Sequence, residues 1–211
     1  MSSDPDLLFD GPKNARQTIA LAHGAGAGMD TPFLTSFAHG LALSGFRIAR
    51  FEFPYMAGYR NSGKRRPPDS QAVLRQTWLR VVELLGRKGL VIGGKSMGGR
   101  LASMVADEAG VEALVCLGYP FHPVGKPQQL RVDHLRDLKT RTVILQGERD
   151  PFGNRDEVSH YPLSSAIRIH WFEDGDHSFK PRVKSGRTEE ENWDAAIAAI
   201  ARFLGSGRVE A

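Results

Sequence analysis

A three-layer α/β sandwich, with a mainly parallel sheet of about six strands, is the fold this sequence predicts. Apolar, β-branched runs alternate along the chain with longer segments of helical periodicity, and several runs are apolar almost without interruption. Strands buried on both faces read that way, and parallel sheets are built from them with helices on either side. The runs are Thr18–Ala22, Arg47–Phe53, Leu90–Gly93, Ala113–Gly118, Thr142–Gln146 and Ala166–Phe172. Helices are expected between and after them, near Pro32–Ser44, Ser70–Gly86, Gly98–Ala109 and Glu189–Leu204. The last carries Trp193, Ile197, Ile200 and Leu204 at helical spacing, with alanines between.

These elements fill residues 17–205 as one domain, with an N-terminal extension (1–16) and a C-terminal tail (206–211). Residues 119–140 interrupt the alternation: Pro120, Pro123 and Pro127 precede a short helix-like piece at Val132–Leu138. The segment leaves a strand's carboxyl end, where α/β sheets bind ligands. It is either a short lid or a plain surface connection.

The 211 residues are 41% hydrophobic and 25% charged, ordinary values for a soluble domain. No apolar run nears the ~20 residues of a membrane span. The opening residues lack the basic start and apolar stretch of a signal peptide, so a cytoplasmic address and no membrane partner are expected. The one cysteine, Cys116, rules out an internal disulfide and a cysteine-built metal site, and it lies in an apolar run as a buried, inert thiol would. The net charge of +4, from 28 basic and 24 acidic residues, is too mild to imply nucleic acid. The basic residues are clustered, however. Arg60, Lys64, Arg65 and Arg66 crowd one segment, and Lys180, Arg182, Lys184 and Arg187 another. Both read as solvated loops. The first also follows a strand end, so Arg65 and Arg66 are candidates to hold an anionic substrate.

The chemistry concentrates at Gly94-Lys95-Ser96-Met97-Gly98, a G-x-S-x-G pentapeptide between a predicted strand and a predicted helix. A sharp strand-to-helix turn exposes a serine hydroxyl above the sheet. Small flanking residues let neighbouring backbone come close, and the helix start offers N–H groups to a developing oxyanion. Gly89, Gly94, Lys95 and Ser96 also satisfy the phosphate-cradling pattern G-x-x-x-x-G-K-S. That reading needs its spacer to be a loop, whereas Leu90-Val91-Ile92 is the strand itself. As a plain alternative, Ser96 is a helix cap.

A serine hydroxyl needs a base, and the base an orienting carboxylate. After a strand–turn–helix serine these follow in the order acid, then histidine. Asp150 lies past the strand ending at Gln146, and His177 past the strand ending at Phe172, on the side where Ser96 is presented. Among the seven histidines His122 is the chief rival, since it too follows a strand end, while His170 lies within a strand. Asp150 is preferred to Glu148 because it lies deeper in its loop, ahead of Pro151; Asp174 and Asp176 read as turn formers. The first strand runs into His23-Gly24-Ala25-Gly26-Ala27-Gly28, a run small enough to approach a substrate carbonyl. Ala25 and Met97 are the candidate oxyanion donors through their N–H groups. The run lacks the G-x-G-x-x-G spacing of a dinucleotide turn, since position 29 is Met.

Taken together, LAHGAGAGMD, FEFPYM, GGKSMGGR, QGERDPFG and DGDHSFK resemble the α/β-hydrolase superfamily, near the dienelactone-hydrolase-like small hydrolases. They also resemble the predicted hydrolases related to a hydrolase-like domain of a chromatin acetyltransferase-complex subunit. The resemblance spans roughly residues 17–205 and implies Ser96, Asp150 and His177 as a triad, in a minimal fold without a large cap domain. Dienelactone hydrolases carry cysteine at the position of Ser96, so their lactone chemistry is not implied. The expected activity is cleavage of a small ester or thioester through a covalent acyl-enzyme, with no metal or cofactor and a small-molecule acyl substrate, anionic if the basic loop serves it. The rival reading is a non-catalytic interaction module. Tyr55, Met56 and Phe121 are candidate pocket residues beside Arg65 and Arg66.

Overall fold

The computed structural model describes residues 4–205. One seven-stranded sheet runs through it in the order β1-β3-β2-β4-β5-β6-β7. The strands are β1 (Leu7–Asp10), β2 (Thr18–Ala22), β3 (Arg47–Phe51), β4 (Leu90–Lys95), β5 (Ala113–Leu117), β6 (Thr142–Gly147) and β7 (Ile167–Phe172). Every pairing is parallel except β1 with β3. The helices are α1 (Pro32–Leu43), α2 (Pro54–Ser62), α3 (Gln71–Leu85), α4 (Met97–Ser103), α5 (Ala106–Ala109), α6 (Arg155–Val158) and α7 (Glu189–Leu204).

The near-continuous apolar strands have the reason expected for them, since each face of the sheet meets helices. Side chains of one strand alternate between two cores. Ala20, Ala22, Leu90, Ile92, Leu114 and Cys116 face the core closed by α3 and α4. Ile19, Leu21, Val91, Val115 and Leu117 face the core closed by α1 and α7. Local signals set the helix starts: Thr31 accepts from Leu34 N ahead of Pro32, and Thr188 and Glu191 form a capping box at α7. No helix among the described residues is long and apolar enough to cross a membrane.

Four features differ from the sequence reading. The N-terminal extension contains β1, so the sheet has seven strands and the extension is not wholly outside the domain. Four residues are too short a run to show periodicity. Second, α2 follows β3 where a loop was expected; Pro54 starts it and Gly63, at φ 68°, ends it, and these breakers obscured a helix whose buried stripe is only Tyr55 and Met56. Third, the helix expected over Gly98–Ala109 divides at Val105, where φ is −120°. Fourth, Val132–Leu138 holds only a 3₁₀ turn, Asp133–Leu135. The 119–140 segment joins β5 to β6; Tyr119, Phe121, Val132, Leu135 and Leu138 are buried at its two ends, while residues 124–130 between them are exposed. The expected C-terminal tail, 206–211, lies outside the described residues.

Candidate active site

The strand order reverses direction at β2 and β4: from this central pair the chain winds outward to β3 on one side and to β5–β7 on the other. Loops leaving the two strands part there and leave a crevice at their carboxyl ends. Ser96 stands at the end of β4 with φ 52° and ψ −118°, a strained conformation for a residue with a Cβ. The glycines around it answer to close backbone. A Cβ on Gly94 would lie 2.2 Å from Ala22 O, and one on Gly98 would lie 2.6 Å from both Ala22 O and His23 O. The elbow is thus pressed against the end of β2. Leu90–Lys95 pairs on both sides, with β2 and β5, so the overlapping phosphate-loop pattern has no free backbone with which to wrap a phosphate.

Asp150 and His177 come from the loops after β6 and β7. His177 Nδ1–H donates to Asp150 Oδ2 at 2.7 Å. The side chains are 0% exposed for Asp150 and 19% for His177. Two further donors orient the carboxylate: Gln146 Nε2 to Oδ2 at 2.9 Å and Phe152 N to Oδ1 at 2.8 Å. This tautomer leaves His177 Nε2 with a lone pair, and that atom is buried without a hydrogen-bond partner among the described residues. Burial pulls the His177 pKa below the usual imidazole value, more than the bond to Asp150 raises it; the nearby Lys95 charge lowers it further. The ring lies against Phe152, centroids 4.4 Å apart.

Ser96, Met97, Ala25 and Phe152 line one cavity of about 420 Å³, whose wall also includes Arg100, Arg131 and Asp69. The loop after β2 is tied back on its carbonyls. His23 Nδ1–H donates to Gly24 O at 2.7 Å, its Nε2 accepts from Phe53 N at 3.1 Å, and the Tyr55 hydroxyl donates to Ala25 O at 2.9 Å. Ala25 and Met97 share the wall of this cavity with Ser96.

The other candidates fall elsewhere. Tyr55 and Met56 are buried, so Tyr55 serves the loop rather than a substrate surface. Phe121 is fully buried against Tyr119 and Tyr161. Arg66 pairs with Asp69 at 3.5 Å, and Arg65 lies over the Tyr59 ring; neither lines the cavity. The rival His122 is buried, with Nδ1–H donating to Pro123 O at 2.8 Å and Nε2 3.3 Å from Glu157. In the second basic segment, Arg182 pairs with Asp174 and Lys180 with Glu189. Cys116 is buried, which drives its thiol pKa upward.

A second Ser–His contact joins Ser103 and His134 at 2.8 Å. Its proton runs the wrong way for a nucleophile. The Ser103 hydroxyl donates to Arg100 O at 2.7 Å, so His134 Nε2–H is the donor to Ser103 Oγ. A larger cleft of about 620 Å³ lies between the N-terminal segment, α2 and α3; in its wall Arg60 pairs with Glu52 and Arg80 with Asp4, and Asp6 forms no ion pair among the described residues. No group of three or more His, Cys, Asp or Glu among the described residues could hold a metal ion.

A doubly covered, mostly parallel sheet with a strained serine between strand and helix defines an α/β-hydrolase fold. Residues 15–205 match the family of alpha/beta hydrolase domains, and the chain belongs to that family. Solved structures agree on the fold. An α/β serine hydrolase homologue from Coxiella burnetii is 19% identical, covering 92% of this chain and 91% of its own, with a TM-score of 0.70. An α/β serine hydrolase without lid from Xanthomonas campestris is 18% identical over 95% and 89%, at 0.69. Dienelactone hydrolase from Anabaena variabilis is 18% identical over 96% and 98%, at 0.70.

Four side chains important to this geometry escaped the sequence reading as site residues: His23, Gln146, Arg100 and Arg131. His23 and Gln146 lie within or beside quoted motifs, but their partners are distant in sequence. Only folding reveals what they hold.

Proposed function

We propose that this chain is a serine hydrolase that cleaves a small ester or thioester, with Ser96 as nucleophile, His177 as base and Asp150 as orienting carboxylate. The observation that carries the reading is the His177–Asp150 pair: a fully buried carboxylate fixes Nδ1–H and leaves Nε2 without a partner among the described residues. His177 Nε2 takes the Ser96 proton as Oγ bonds to the carbonyl carbon, and the N–H groups of Ala25 and Met97 receive the oxyanion. Collapse breaks the bond to the leaving alcohol or thiol, which departs with the proton from His177. Water then gives a proton to His177 and attacks the acyl-enzyme; the second collapse returns the proton to Ser96 and releases the acid.

Ser96→Ala should lower ester turnover by about 10³-fold or more. Undiminished activity would sink the assignment. The rival reading, a non-catalytic interaction module, separates cleanly with a fluorophosphonate probe. Labelling of Ser96 that disappears in His177→Ala supports the enzyme, and folded protein that takes no label supports the module.

A further inference from the structure

Arg100 and Arg131 stand in the wall of the Ser96 cavity with no part in the reaction described above. Arg100 comes from α4, about one turn past the nucleophile. Arg131 comes from the β5–β6 connection. Arg100 Nε is buried and has no hydrogen-bond partner among the described residues. Among the described residues neither guanidinium forms an ion pair, whereas Asp69, the carboxylate in the same wall, is engaged by Arg66 and by Tyr55 N. The two charges feel each other: burial first, then the charge of Arg100, lowers the pKa of Arg131. Like charges held together in a partly desolvated wall are unfavourable until an anion arrives.

Their backbone is anchored as if to keep them there. The Ser103 hydroxyl donates to Arg100 O at 2.7 Å, and the Tyr119 hydroxyl donates to Arg131 O at 3.1 Å. His134 Nε2 lies 2.8 Å from Ser103 Oγ and 3.3 Å from the Tyr119 hydroxyl, tying the two anchors together. Burial holds the His134 pKa down to about 4, so at neutral pH it adds no third positive charge.

We propose that Arg100 and Arg131 form an anion clamp that selects esters carrying a separate negatively charged group, a carboxylate or a phosphate, apart from the scissile bond. The proposal rests on Ser96 as nucleophile. A planar guanidinium meets either anion with two parallel N–H donors. It moves anion recognition from the exposed Arg65 and Arg66 to a pair in the cavity wall.

The test uses the full chain and three 4-nitrophenyl esters: the neutral valerate, the hydrogen glutarate of equal acyl length, and the 4-phosphonooxybutyrate. At least one charged ester should exceed the neutral one in kcat/KM by about ten-fold or more. Whichever is favoured identifies carboxylate or phosphate. Arg100→Gln and Arg131→Gln should each collapse that ratio by about ten-fold, mainly through KM, while Arg131→Lys retains part of it. A wild-type ratio near one, or a ratio unchanged in both variants, overturns the clamp and leaves the nucleophile standing. If Arg100→Gln does not fold, as judged by thermal melting, Arg131→Gln decides. If no ester is turned over and no fluorophosphonate label appears on Ser96, the nucleophile reading fails by itself. Ester selection then fails with it, and the anion site alone is read from calorimetric titration of glutarate and inorganic phosphate: binding that weakens in Arg131→Gln sustains the site, and no binding, or binding unchanged in that variant, overturns it.

Discussion

At Lys95, between Gly94 and the serine, one side chain reaches the histidine loop. Its ammonium donates to the His177 carbonyl and lies 5.1 Å from the Phe33 ring centroid and 5.9 Å from that of Phe179. Desolvation pulls its pKa down to about 8 against the pull of Asp150 and Asp176. Its charge is one of the influences that keep His177 below 6.5. In the proposed mechanism the neutral imidazole is the base, so activity should be full above the His177 pKa and fade as pH falls through it. The acid limb of kcat/KM on a neutral ester should therefore have its midpoint below 6.5. Lys95→Met removes a positive charge, so that limb should shift upward, and loss of the tether should lower kcat by about ten-fold. An acid limb that does not move would show that the ammonium charge does not reach the imidazole. The residue was legible in the sequence only as the variable position of a motif, because its partner carbonyl lies 82 positions away.

The β4–α4 elbow and the end of β2 act as one element, because the serine turn fits only if β2's backbone can lie against it. Gly98→Ala would set a Cβ 2.6 Å from two carbonyl oxygens, and backbone cannot yield as a flexible side chain does. The expected cost is about 1–3 kcal/mol, with Tm lower by roughly 2–4 °C per kcal/mol in a thermal melt. Turnover should fall as well, since the displaced backbone leads into the Ala25 loop. A variant with unchanged Tm would mean that the two strands separate more easily than their contacts indicate. Here the glycines were readable as a pattern. The carbonyls they accommodate were not, since those belong to a strand more than seventy residues earlier.

For the molecule as a whole, β1 closes one edge of the sheet through a charge that is otherwise buried. Arg50, 4% exposed, donates to Asp10 Oδ2 at 2.9 and 3.2 Å, to Met29 O at 2.9 Å and to Thr35 Oγ1 at 3.0 Å. It joins the N-terminal strand, the loop after β2 and α1. Asp10→Ala leaves the guanidinium its two neutral acceptors and removes its counter-charge. Unfolding in denaturant should show a loss of about 1–3 kcal/mol, less than for a fully enclosed pair because the Asp10 side chain is 30% exposed. A loss within experimental error would mean that Met29 and Thr35 suffice.

The sequence by itself determined the alternation of buried strands and covering helices, and the positions of Ser96, Asp150 and His177 relative to strand ends. Both are carried by local patterning: periodicity records how a segment is buried, and a turn beside a strand end needs small residues in register with it. The tertiary structure decided what depends on distant groups meeting. It put β1 into the sheet, set Gln146 on Asp150, assigned Tyr55 and Phe121 to support and core, and turned Arg66 toward Asp69. It also brought Arg100 and Arg131 into one wall. Those arginines are thirty-one positions apart, and no local periodicity records a contact made by the closing of a crevice.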